Sequence, residues 1–282
     1  MIFKIKTLAV VIFCCFIFFP KGFGQQNKKD RYSKMSHDQL FLIVGVEDTD
    51  GWENALLLAE IIPQEYLLAK LVSKESEDII KALIILGALG DVNTIDEVSK
   101  LLDNKSEWHV RGGAYAITRI DPVRSIPILL EKLIDNEYKD KETFISFLYH
   151  IRDYPQKESL DVLNVFIENR SLKKTTEDQE LLKLAEKIRT LLVSYFESTE
   201  KRREVVEEAV NNSLLNSWGL KVMEIEKSDS LYYSEVLKRS KYSSSFQYLK
   251  LRYKLTGNEN LTEKEQEIIK TYLDNPRPKP SH

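Results

Sequence analysis

Between residues 51 and 169 the apolar positions recur at helical spacing, and then the whole set recurs. Trp52, Leu83, Ala114 and Ile145 stand 31 residues apart; so do Ala55, Leu86, Ile117 and Leu148, and Leu58, Leu89, Ile120 and Ile151. A second helix in each set ends alike: Lys70-Leu71-Val72-Ser73, Lys100-Leu101-Leu102-Asp103, Lys132-Leu133-Ile134-Asp135 and, more loosely, Val165-Phe166-Ile167-Glu168. Residues three and four apart share a helix face, so each helix pair carries an apolar face that it cannot bury alone. Stacking on neighbours joins those faces into one core. The pattern predicts four copies of a helix-turn-helix unit.

The middle copies carry Leu86-Gly87-Ala88-Leu89-Gly90-Asp91, and Val110-Arg111-Gly112-Gly113-Ala114-Tyr115-Ala116-Ile117 followed by Ile120-Asp121-Pro122. With a unit of this length and two helices, the chain resembles the HEAT-repeat family, in particular its short-repeat, bilin-lyase-like branch, over about residues 51–169. The resemblance implies an all-α fold, a HEAT-like α-solenoid of helix-turn-helix repeats whose second helices line the concave, partner-binding face. Gly87, Gly90, Gly112 and Gly113 are costly in or beside helices, which points to close backbone approach between units. Pro63, Pro122 and Pro127 fall near the beginnings of second helices, where a missing amide hydrogen costs least.

On the N-terminal side, Ser36 and Gln39 form a capping-box pattern ahead of Leu40 to Val46, a short helix covering the end of the stack. Asp48-Thr49-Asp50-Gly51 suggests a calcium loop. Setting Gly51 at the sixth loop position places Val46 and Leu57 where carboxylates are needed, so the segment reads as a turn with Asp50 near an N-cap. Past a polar break at 171–175, Thr176 and Gln179 repeat the capping pattern before Leu181, Leu184, Ala185, Ile188, Leu191, Leu192 and Tyr195. Further helices are expected over Glu200 to Asn212, Leu214 to Lys227, Leu231 to Lys238, Phe246 to Leu255, ended by Gly257, and Thr262 to Asp274, opened by a Thr262/Glu265 box. The repeat step is lost there, so this C-terminal helical region either caps the solenoid or continues it in degenerate form. The domain order is then a signal peptide (1–24), an arm and capping helix (25–50), HEAT-like repeats (51–170), the C-terminal helices (176–275) and a disordered proline-rich tail (276–282).

The signal peptide is read from Lys4 and Lys6, the apolar run Leu8 to Phe19, and Gly22-Phe23-Gly24, with cleavage expected after Gly24. The run is shorter than the ~20 residues of a spanning helix, so no stable membrane insertion is expected after cleavage. Export implies a periplasmic or extracellular location if the source is bacterial. Both cysteines, Cys14 and Cys15, lie in the leader, and neither follows the small residue of a lipoprotein signal. The chain outside the leader carries 38 basic and 44 acidic residues, a net charge of −6, once Lys4, Lys6 and Lys21 are removed from the 41 basic residues of the whole. That balance is the wrong sign for a general nucleic-acid binder.

Catalytic chemistry finds little footing. Metal-dependent hydroxylases of the HEAT class would need paired His-Glu ligands, and none of His37, His109, His150 and His282 is followed by Glu. There is no Gly-x-Ser-x-Gly elbow, and no cysteine outside the leader. The chromophore handling that the bilin-lyase branch would imply belongs inside cells, at odds with export. Neither cofactor nor metal is expected.

The clearest functional pattern is a lysine column. With Leu68, Leu71 and Val72, then Val98, Leu101 and Leu102, then Leu130, Leu133 and Ile134 taken as buried sets, Lys70, Lys100 and Lys132 point to the far side. Tyr66, Asp96 and Ile128 stand one turn earlier, with Asp96 placed to pair with Lys100 at i,i+4. Lysine in a last helical turn is also favoured by the helix dipole alone. Trp108 beside His109 is a second candidate patch. The reading is an exported scaffold or adaptor that binds a protein partner of acidic character. The rivals are an inhibitor or immunity-type binder of one secreted enzyme, and an enzyme acting on envelope polymers.

Overall fold

The computed structural model describes residues 32–43, 55, 57–135, 140–172 and 175–274. The expected signal peptide, the arm up to residue 31, the Asp50 turn, Trp52 and the proline-rich tail lie outside the described residues, as does the capping helix beyond Ile43; Tyr32, near the end of the expected arm, is buried. Among the described residues all regular structure is helical and no strand occurs. In order these are α1 (His37–Phe41), α2 (Gln64–Lys70), α3 (Ser76–Leu89), α4 (Ile95–Ser99, prolonged by the 3-10 turn Lys100–Asp103), α5 (Glu107–Ile120), α6 (Pro122–Asp135) and α7 (Lys141–Asp153). Then follow α8 (Ser159–Ser171), α9 (Thr176–Glu197), α10 (Thr199–Asn211), α11 (Asn216–Ile225), α12 (Ser230–Arg239), α13 (Phe246–Thr256) and α14 (Glu263–Asp274). The chain forms two compact units that divide between Arg202 and Arg203, inside α10.

In the first unit α3 packs on α5, α5 on α7 and α7 on α9. The alternate helices flank this series: α4 lies on α5, α6 on α5 and α7, and α8 on α6 and α9. The step of 31 residues is a burial register. Ala55, Leu86, Ile117 and Leu148 are all fully buried, as are Leu58, Ala114 and Ile151, while Leu89 and Ile145 are half-buried. Glycine lets the first helices close up: a Cβ on Gly112 would stand 3.0 Å from the methyl tips of Ile80 and Leu83. Gly90 instead ends α3 in the left-handed region at φ 69°.

The turns are tied by contacts that also repeat. Arg124 donates to the Val92 carbonyl at 3.3 Å, and Gln156, 32 residues later, donates to the Pro122 and Val123 carbonyls at 3.2 Å. Pro127 explains the second contact. It lies inside α6 rather than at its beginning, and without an N–H it cannot satisfy the carbonyl four residues back, which is Val123. Pro122 is the first residue of α6, and Pro63 is the N-cap of α2.

Three local expectations shift. The cap of α9 is Thr175, whose hydroxyl oxygen accepts from the Asp178 amide at 3.1 Å, one residue before the expected Thr176. Asp178 also accepts from the Thr175 hydroxyl and from Arg170, at 2.5 and 2.6 Å, and this fixes the register. Val72 is 85% exposed rather than buried, because α2 stops at Lys70 and the following turn takes Val72 out of helical phase. Leu68 is half-buried and Ile134, in the last turn of α6, is 37% exposed; Leu71, Val98, Leu101, Leu102, Leu130 and Leu133 are buried. The Ser36/Gln39 and Thr262/Glu265 boxes are both present.

In the second unit α13 packs on α11, α12 and α14. Trp218, Tyr233, Tyr248 and Arg252 fill its interior. The Arg252 guanidinium donates to Glu265 at 2.8 Å and to the Asn260 carbonyl, which compensates its burial. Tyr248 donates its hydroxyl to the Val210 carbonyl at 2.6 Å. Gly219 is the tight point, where a Cβ would meet Val210 Cγ1 at 2.8 Å.

Candidate functional site

Lys70 lies in a closed polar cluster rather than on an open face. Its ammonium donates to Asp78 at 3.3 Å and stands 4.0 Å from Asp38. It also lies 5.2 and 5.3 Å from the ring centroids of Phe41 and Tyr66. Tyr66 donates its hydroxyl to Asp38 at 2.5 Å and meets the rings of His37 and Phe41 edge-on. Burial, and then the Asp38 hydrogen bond, push the Tyr66 phenol up. Burial alone would lower the Lys70 ammonium, but the bond to Asp78 and the Tyr66 oxygen outweigh it and the net shift is upward. These groups clamp α1, α2 and α3 together.

The other two lysines are also engaged. Lys100 donates to Glu97 at 2.6 Å, one turn back at i,i+3, and not to Asp96. Asp96 instead lies 3.6 Å from Arg124 of α6. Lys132 donates to Asp103 at 2.7 Å, across from α6 to the 3-10 turn, and Ile128 is half-buried. A carboxylate therefore balances each lysine of the column. The sequence had the helix face of these residues but not their partners, which come from other helices in two of the three cases.

Trp108 is 68% exposed, with the Arg111 guanidinium 4.8 Å from its ring centroid. Arg111 is held in turn by Asp140 at 2.8 Å, the residue that caps α7. His109, one residue on and about 100° further round the helix, is buried: its ring contacts Ser76 on α3 and Asn104 in the preceding turn. Burial lowers its pKa. Trp108 and His109 are thus two separate features, one open and one packed between helices.

What the sequence reasoning missed is the charge left over. Glu131 on α6, and Asp161 and Glu168 on α8, are exposed and have no basic partner among the described residues. Glu131 shares its exposed stripe with Ile134, and Asp161 and Glu168 share theirs with Val165. The helical spacing 127, 131, 134 and 161, 165, 168 was present in the sequence, but only the paired state of the lysines shows which charges remain. In the second unit, Glu207 accepts from Tyr232 at 2.8 Å and Arg239 at 3.2 Å, and Arg203 from α10 pairs with Asp229 at 2.5 Å. Burial and the Glu207 bond push the Tyr232 phenol up to about 12, which suits a structural hydroxyl.

Among the described residues no group of three His, Cys, Asp or Glu is placed to hold a metal ion, and no helix is long and apolar enough to cross a membrane. No protein-family model, curated protein or solved structure matches the chain.

Proposed function

We propose that the chain is an exported HEAT-like α-solenoid that acts by binding another protein, and that its second helices offer the binding face to a basic, partly apolar segment of that partner. The serial packing of α3, α5, α7 and α9 supports the solenoid, and so do the turn contacts of Arg124 and Gln156. In such a stack, residues distant in sequence come into one surface. The observation that carries the reading is the sign of the charge on α4, α6 and α8. Lys100, Arg124 and Lys132 are each matched by a carboxylate, while Glu131, Asp161 and Glu168 have no basic partner among the described residues. An unmatched carboxylate steers a cationic partner and sets its register, and exposed aliphatic groups beside it supply the desolvated contacts that hold it. The acidic partner expected from the lysine column loses its basis, because the charge that would attract it is already neutralised within the chain.

The test starts from a partner captured by the full chain from an exported fraction and then purified. Reversing Glu131, Asp161 and Glu168 to Lys is expected to weaken binding at least about tenfold, or ~1.4 kcal/mol, and to reduce its salt sensitivity. Reversing Lys100 to Glu is expected to change little. The opposite ranking would restore the acidic partner, and affinity unchanged in both variants would remove the second helices as the binding face.

A further inference from the structure

We infer that the contact between His109 and Ser76 is an acid-sensitive joint: the neutral imidazole holds the N-terminal ends of α3 and α5 together, and its protonation loosens them. The geometry sets the proton positions. Nδ1 of His109 lies 3.3 Å from Asn104 Oδ1, and Nε2 lies 2.7 Å from Ser76 Oγ. Asn104 Oδ1 already accepts from the Ser106 amide at 2.9 Å, which identifies it as the amide oxygen. Nδ1 must therefore carry the proton in the neutral ring. Nε2 is left as a lone pair, and the Ser76 hydroxyl is its donor.

Adding a proton at Nε2 sets an N–H against that hydroxyl, so the serine must turn round to accept. Two further effects act in the same direction. The new charge lies on a residue that is only 8% exposed, and burial disfavours the imidazolium. It also stands at the third residue of α5, where the positive end of the helix repels a cation. Charged groups on the surrounding elements do little to compensate. On α3, Glu77 is paired with Lys81 and Asp78 with Lys70; Asp103, before the turn, is paired with Lys132 of α6. Arg111 of α5 is paired with Asp140 at the start of α7. Lys74, Glu75, Lys105 and Glu107 remain, two acids and two bases near the chain ends that meet there.

The joint is a contact between consecutive first helices, so loosening it changes how one unit sits on the next. Its pH window follows from the direction of the shift. A histidine whose folded pKa is lowered contributes fully above its unfolded value of about 6.5, and the contribution is lost as pH falls below that value.

The experiment is hydrogen exchange of the full chain at about pH 7.5 and about pH 5.5, on either side of the unfolded histidine value, corrected for the intrinsic rate. Exchange over 73–78 and 104–112 is expected to rise about threefold or more in acid relative to the middle of α7, and His109→Gln, which keeps an acceptor for Ser76, is expected to abolish the rise. An equal rise in His109→Gln would overturn the joint, as would no rise in the unaltered chain. If the variant does not fold, the imidazole titration of the unaltered chain decides by nuclear magnetic resonance. A His109 midpoint below about 6.5 is expected, and one at or above that value overturns the proposal.

Discussion

Arg170 donates to Asp178 at 2.6 Å across eight residues, and Lys70 donates to Asp78 across the same span at 3.3 Å. In both cases an aromatic ring one turn before the cation, Phe166 or Tyr66, lies 5.3 Å from it. In both, the carboxylate is the third residue of the next helix. The same kind of corner thus joins α2 to α3 and α8 to α9, with cations 100 residues apart in number, Lys70 and Arg170. A cation stacked on a ring and aimed at a helix N-terminal carboxylate fixes the angle at which the chain turns back.

The two corners differ in burial, and that sets the first prediction. Arg170 and Asp178 are 15% and 10% exposed, against 27% and 29% for Lys70 and Asp78. Asp178→Asn leaves a cation in a mostly buried place and is expected to cost roughly 3 kcal/mol. Asp78→Asn is expected to cost about 1 kcal/mol or less, because water screens the pair. Urea melts of the two variants check the ranking, and equal losses would count against burial as the cause.

Leu86→Ala and Ile117→Ala each remove a fully buried side chain from equivalent positions of α3 and α5. Each is expected to cost about 2–5 kcal/mol. Val72→Ala, at the position that the repeat pattern assigned to the core and the fold exposes, is expected to stay within about 0.5 kcal/mol. A denaturant midpoint that moves as far for Val72→Ala as for Ile117→Ala would contradict the register.

Glycine substitutions should separate two roles. In Gly219→Ala the new methyl meets Val210 Cγ1 at 2.8 Å and its backbone nitrogen at 3.0 Å, so a loss of about 1–3 kcal/mol is expected from overpacking. At Gly87 the nearest atom, Ala116 Cα, would be 3.4 Å away, an ordinary contact. Gly87→Ala is therefore expected to be neutral or to gain up to about 1 kcal/mol from helix propensity. Thermal melts of both variants test the contrast.

Asp140 gives a pH dependence. Burial alone would raise its carboxyl, but the Thr143 amide and the Arg111 guanidinium outweigh burial and hold it below the usual range. Its contribution is thus present above the unfolded value near 3.9 and is lost as pH falls through the lower folded value. Between about pH 4 and 2 the unaltered chain is expected to lose stability more steeply than Asp140→Asn, read from urea midpoints. Parallel pH profiles would exclude Asp140 as a contributor.

The sequence alone determined which segments are helical and which first-helix positions are buried. Amphipathic period and the step of 31 residues are local and repetitive, so the chain alone places Leu86, Ile117 and Leu148 in the core. It also placed the Ser36/Gln39 and Thr262/Glu265 caps, because a capping box closes within four residues. Only the tertiary structure decided the partners of the charged side chains. Lys132 reaches Asp103 across 29 residues and Arg111 reaches Asp140 across the same distance, and a long flexible side chain selects among carboxylates by separation in space. Helical phase showed which way Lys100 and Lys132 could point, but it held no information on what was waiting there. That is why the second helices, read as basic from the chain, leave Glu131, Asp161 and Glu168 as carboxylates with no basic partner among the described residues once the helices are packed.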